Sequence, residues 1–166
     1  MKVTDFTMLL VEDDPNDILL IQRAFGKASL VNPLKIVRDG QEALNYLAGT
    51  GEFADRGKHP IPSLILLDLK LPRKSGLEVL QWLREQPGLS HIPVIVLTSS
   101  KESSDINRAY ELGANSYLVK PVGFEGLLEM VRSIGVYWMI MNKGPEAPPA
   151  PTRFTPAQPR QTHPNS

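Results

Sequence analysis

Four short apolar runs, MLLV at 8–11, LILL at 64–67, VIVL at 94–97 and YLV at 117–119, limit what this chain can fold into more than any other feature. Each is continuous and ends in polar or turn residues, the pattern of a strand covered on both faces. A weaker fifth run, LKIV at 34–37, precedes Arg38, Asp39 and Gly40. Between the runs, apolar residues return at helical spacing: Ile18, Ile21 and Phe25; Ala43, Leu44 and Leu47; Leu77, Leu80 and Leu83; Ile106, Ala109, Tyr110 and Leu112; then Phe124, Leu127, Leu128, Val131, Ile134 and Trp138. Strand and helix therefore alternate. Parallel strands require crossovers, and crossovers within one sheet are right-handed. The prediction is an α/β fold, a doubly wound five-stranded parallel sheet with helices on both faces.

Two segments break the rhythm. Residues 48–63, AGTGEFADRGKHPIPS, are too long for an ordinary connection and rich in Gly and Pro, which predicts a surface loop. Seven of the 15 prolines follow Gly144, so residues 1–143 are expected to form the folded domain and residues 144–166 a Pro-rich disordered tail. No second module can be built on that tail, and output is expected to pass through partners. With 18 basic and 18 acidic side chains there is no surplus to attract a polyanion, so nucleic acid is not an expected partner. No run approaches the roughly 20 apolar residues of a membrane span, and Asp5 interrupts the start where a signal peptide needs an apolar stretch. A cytoplasmic protein with no membrane contact is expected. The lack of Cys removes disulfides, thiolate nucleophiles and Cys-based zinc sites together.

The residues that follow the apolar runs concentrate the chemistry. Glu12 and Asp13 follow the first, Asp68 the LILL run, Thr98 the VIVL run, and Lys120 the YLV run. Polar residues end strands everywhere, but a parallel sheet gathers these at its carboxyl edge, where open α/β sheets bind ligands. Clustered carboxylates repel and need a cation to stay ionised. Oxygen ligands alone favour a hard ion, and Mg²⁺ is expected ahead of Zn²⁺. Asp68 can then attack phosphorus as a carboxylate nucleophile, with Mg²⁺ and the Lys120 ammonium offsetting oxygen charge and Thr98 donating a hydroxyl. Lys120-Pro121 can be cis, which would aim the lysine across the sheet edge. Pro72 and Gly76 are expected to shape a tight loop beside Asp68. Asp14 reads as an N-cap, with Pro15 first in the helix.

VEDD at 11–14, LLDLKLPRKSG at 66–76, VLTSS at 96–100 and YLVKP at 117–121 resemble the motifs of response regulator receiver domains, in the family's order. The resemblance spans roughly residues 7–142 and implies a flavodoxin-like receiver fold. It implies Asp68 as phosphoacceptor for a sensor histidine kinase, and Asp13, Asp68 and the Lys70 backbone carbonyl as Mg²⁺ ligands. Glu12 would hold a metal-bound water. Thr98 and Lys120 match the family's phosphate-sensing pair, and Tyr117 its switch aromatic, so that phosphorylation would alter the surface of the fourth helix, fifth strand and fifth helix. The insert at 48–63, DLKLPRKSG and the extended last helix are similar to single-domain regulators of bacterial and cyanobacterial phytochrome kinases. Such a protein is a switch rather than an enzyme, beyond self-catalysed phosphorylation and dephosphorylation. Alternatives are a relay intermediate to a histidine phosphotransfer protein and an adaptor independent of phosphorylation. An aspartate-nucleophile phosphatase is disfavoured, because the second acid expected two residues later is Lys70.

Val136, Tyr137, Trp138, Met139, Ile140 and Met141 place apolar groups all round the last helix. One core stripe cannot bury them all, so a homodimer contact through Tyr137, Trp138 and Met141 is expected. His59, His91 and His163 are expected to be solvated, and Arg73-Lys74 is a candidate docking pair for the kinase.

Overall fold

Each of the five apolar runs is a strand. The computed structural model describes residues 6–141, with side chains as far as Val136. In chain order the elements are β1 (Met8–Val11), α1 (Pro15–Lys27), β2 (Leu34–Val37), α2 (Gly40–Ala48), a 3-10 turn (Gly51–Phe53), β3 (Leu64–Leu67), α3 (Gly76–Arg84), β4 (Val94–Thr98), α4 (Ser103–Glu111), β5 (Ser116–Val119) and α5 (Phe124–Met141). The strands form one parallel sheet in the order β2-β1-β3-β4-β5.

Alternating side chains explain why the runs are apolar throughout. Leu9, Val11, Ile65, Leu67, Val94 and Val96 pack with Tyr46 and Leu47 of α2 and Val79, Leu80 and Leu83 of α3. Met8, Leu10, Leu64, Leu66, Ile95 and Leu97 pack with Ile21 and Phe25 of α1 and Leu127 and Val131 of α5. In β1, β3 and β4 neither face of the strand reaches water, and only the last position of β4, Thr98, is polar; the edge strands β2 and β5 are partly buried and accommodate Lys35 and Ser116.

Strand order reverses at β1, which lies between β2 and β3. The register places Val11 beside Leu67 and Thr98 beside Val119. The Asp68 N–H donates to the Val11 carbonyl at 3.0 Å and the Lys120 N–H to the Thr98 carbonyl at 2.8 Å, extending the ladder into the residues that follow each strand. Helix α1 begins as expected: Asp14 accepts from the N–H groups of Asn16 and Asp17 at 2.8 and 3.4 Å, and Pro15 opens the helix. Ser75 and Glu78 form a reciprocal capping box at the start of α3.

Several expectations are corrected. The 48–63 insert runs over the surface as expected but is anchored to the domain: Phe53 is buried, with its ring centroid 5.1 Å from those of Tyr46 and His59. His59 is therefore half-buried against two aromatic rings, although His91 is exposed. The Arg56 guanidinium anchors the insert, donating at 2.8 Å to the carbonyls of Tyr46 and Leu47 in the last turn of α2. In α4 only Ala109 is fully buried and Tyr110 is half exposed, because this helix is packed beside the edge strand β5, whose residues are themselves only partly buried. No cis peptide occurs among the described residues, so Lys120-Pro121 is trans; β5 aims the lysine without it. No helix among the described residues is long and apolar enough to cross a membrane. The expected contact residues Tyr137, Trp138 and Met141, His163 and the 144–166 tail lie outside the residues whose side chains or backbone are described.

Candidate functional site

The switch point brings together residues that end different strands. Glu12 continues β1, Asp68 continues β3, Thr98 ends β4 and Lys120 follows β5. The Lys120 Nζ donates to Glu12 Oε2 at 2.6 Å, Asp17 Oδ2 at 2.8 Å and Asp68 Oδ2 at 2.9 Å. Glu12, Asp68 and Thr98 are buried, whereas Asp13 is exposed at the mouth. The Thr98 side chain acts on the Asp68 carboxylate and favours its ionised form. The Lys70 N–H donates to Asp68 Oδ1 at 3.2 Å, so Lys70 enters the site through its backbone.

Protonation follows from these contacts. Burial raises the pKa of Glu12 to about 7, the Lys120 hydrogen bond working against the rise and the Asp68 charge adding to it. Burial would also raise Asp68, but the Lys120 ammonium, the Thr98 hydroxyl and the Lys70 N–H more than offset it and hold this carboxyl below its ordinary value. Lys120 is shifted upward: its burial favours the neutral form, and the carboxylates of Asp17, Glu12 and Asp68 outweigh that. Asp68 is thus an ionised, oriented carboxylate, ready to act as a nucleophile.

Oxygens of Glu12, Asp13 and Asp68 lie within 4.8 Å of one another, the group among the described residues that could share a metal ion. One ammonium cannot neutralise them together with Asp17, and the Asp68 charge adds to the upward push that burial gives Glu12. An all-oxygen set with one exposed member fits a hard divalent cation that keeps some of its water.

Glycine lets the acceptor loop lie close. A Cβ on Gly76 would meet the Asp68 carbonyl oxygen at 2.1 Å, and one on Gly40 would meet the Lys74 carbonyl oxygen at 2.0 Å. The Gly76 N–H donates to the Leu69 carbonyl at 2.9 Å, and Arg73, at φ 70°, pairs with Asp39 at 3.4 Å. Farther out, the hydroxyl of the half-buried Tyr117 donates to the Ser100 carbonyl at 2.9 Å, and the Tyr117 N–H donates to the Tyr110 hydroxyl at 3.2 Å. The Ser100 hydroxyl in turn donates to Asp105 at 2.6 Å. These contacts tie α4 to the residues just beyond Thr98.

Asp17 is the site residue that sequence reasoning missed. It belonged to the helix-opening run Asp14-Pro15-Asn16-Asp17, where an acid in the first turn has its own rationale. The available signal was position: only three residues separate the end of β1 from the start of α1, so its first turn stands over the carboxyl edge.

An acidic crevice at the switch point of a five-stranded parallel sheet, faced by a threonine and a lysine from the last two strands, defines a receiver. The chain belongs to the response regulator receiver domain family, whose pattern matches residues 8–132. It is 41% identical over 140 residues to the probable methanogenesis regulatory protein FilR2 of Methanothrix harundinacea, covering 84% of this chain and 88% of that protein. It is 41% identical over 132 residues to response regulator Rcp1 of Synechocystis, covering 80% and 88%. Among solved structures, the phosphorylated cyanobacterial phytochrome response regulator RcpA superposes with a TM-score of 0.77 at 39% identity, covering 85% of this chain and 99% of that one. The Mn²⁺-bound form of a response regulator Rcp1 gives 0.75, with the same identity and coverage.

Proposed function

We propose that this protein is a phosphorylation switch in which Asp68 accepts a phosphoryl group from a sensor histidine kinase. The observation that carries this reading is the state of Asp68: ionised, buried, and oriented by Lys120, Thr98 and the Lys70 N–H. An Asp68 oxygen forms a bond to phosphorus as the P–N bond of a phosphohistidine breaks, and the electron pair leaves with the imidazole. Lys120 then turns one N–H from the carboxyl, now an acyl phosphate, to a phosphoryl oxygen, and the Thr98 hydroxyl can serve another. A divalent cation, Mg²⁺ in the cell, would be held by Asp13, Asp68 and the Lys70 carbonyl, with Glu12 acting through water, and would supply charge neutralisation. The Mn²⁺-bound relative supports a divalent site.

The output surface is α4, β5 and α5. A pull on Thr98 acts on Ser100, two residues on, and so on the Tyr117 hydroxyl and α4, which has only one fully buried residue to release. The likeness to RcpA, a phytochrome response regulator, supports a phytochrome as the upstream kinase. A second copy of the chain joined through the end of α5 is the further partner. Incubation with acetyl phosphate and Mg²⁺ tests the central claim by intact mass. The wild type should gain one phosphoryl group and Asp68→Asn none; a gain that survives the substitution would refute it.

A further inference from the structure

An ammonium group has three donors, and in Lys120 all three are engaged. The acceptors are not equivalent. Glu12 and Asp68 belong to the carboxylate group that can share a cation, and Asp17 stands outside it on the first turn of α1. That turn is held firmly. Asp14 caps the N–H groups of Asn16 and Asp17, and Ile18 and Ile21 bury the helix against the sheet. On the side of Lys120 away from the other strand ends, a cavity of about 90 Å³ is lined by Asp17, Ile21, Lys120, Pro121 and Phe124. The lysine stem therefore has space to move, and the Asp17 carboxylate stands at that space.

A divalent cation competes with Lys120 for Glu12 and Asp68 and repels the ammonium as well. Asp17 is the one partner of Lys120 that lies outside the cation group. We propose that Asp17 is a positioning residue: it keeps the Lys120 ammonium beside Asp68 when the cation draws on the other two carboxylates, so that an N–H is in place for the arriving phosphoryl oxygen. This rests on the reading of Asp68 as the acceptor. It assigns a role to Asp17 through Lys120, without direct contact with the phosphoryl group.

The test is a double-mutant cycle on the full chain: wild type, Asp17→Asn, Lys120→Met and the pair, each timed for phosphoryl gain from acetyl phosphate at saturating Mg²⁺. The isosteric Asn preserves the helix turn while removing the charge. Asp17→Asn should slow the wild type about tenfold, the scale of one hydrogen bond between charged groups, and should change nothing in the Lys120→Met background. A second readout needs no phosphorylation. The Lys120 ammonium of ¹⁵N-lysine protein loaded with Mg²⁺ should give a slowly exchanging signal that Asp17→Asn loses. A variant at the wild-type rate, equal slowing in both backgrounds, or an unchanged ammonium signal would overturn the role. If the wild type itself gained no phosphoryl group, the acceptor reading would fall, and the ammonium signal would still decide whether Asp17 holds Lys120.

Discussion

Replacing Gly76 by Ala inserts one methyl group between α3 and the acceptor strand. The new Cβ would lie 2.1 Å from the Asp68 carbonyl oxygen, 2.7 Å from Leu69 Cα and 2.9 Å from the Asp68 carbonyl carbon. Ordinary contact begins at 3.4 Å, so the overlap with the oxygen is about 1.3 Å. All three neighbours are backbone, and no side-chain rotation relieves them. Overpacking of this kind typically destabilises by about 1–3 kcal/mol. The functional loss should be larger in proportion. If the Asp68 backbone yields by about 1 Å, a reacting group displaced that far can lose on the order of 10²-fold in rate. Urea unfolding and the rate of phosphoryl gain from acetyl phosphate measure the two effects separately. Gly26→Ala is the control, since nothing lies within 4 Å of its Cβ position in α1. It should stabilise by about 0.5–1 kcal/mol and leave the rate unchanged. A Gly76→Ala protein with the wild-type midpoint and rate would show that the close approach does not constrain the acceptor.

Two further outcomes follow from the same contacts. Glu12 ionises near pH 7 in the folded protein against 4.5 for an ordinary glutamate, so its ionisation opposes folding. In chelator, its contribution should be most favourable below pH 4.5 and lost as pH rises through about 7. The difference, at about 1.4 kcal/mol per pH unit, comes to about 3 kcal/mol; Glu12→Gln should flatten this slope, and an identical slope in the variant would exclude Glu12 as its source. Arg84 ties α3 to the connection leading into β4 and to the α4–β5 turn, donating to the carbonyls of Ser90 and Ile92 at 2.8 Å and of Gly113 at 2.7 Å. Arg84→Met should lower stability by about 2 kcal/mol without slowing phosphorylation at permissive temperature, whereas an unchanged urea midpoint would show the clamp to be dispensable.

The strands and the residues gathered at their carboxyl edge were legible in the sequence because burial on both faces leaves a continuous apolar run, and the residue after such a run must emerge at one edge of a parallel sheet. Glu12, Asp13, Asp68, Thr98 and Lys120 could be read in that way without knowing the strand order. The helices were less legible. Tyr110 fits the periodic stripe of α4 but is half exposed, because the edge strand beside it offers too little surface to cover it. Phe53, Arg56 and His59 looked like loop residues; their packing depends on carbonyls and a ring in the last turn of α2, which are distant in pattern though near in space.

The sequence alone determined that strands alternate with helices and that an aspartate, a threonine and a lysine share an edge. Tertiary structure decided that β1 lies between β2 and β3, so that Glu12 and Asp68 are adjacent. It also decided that Asp17 reaches Lys120, 103 positions away in the chain. Hydrophobic periodicity records which face of an element is buried, but the partner of a polar side chain is fixed by how the elements are arranged around one another.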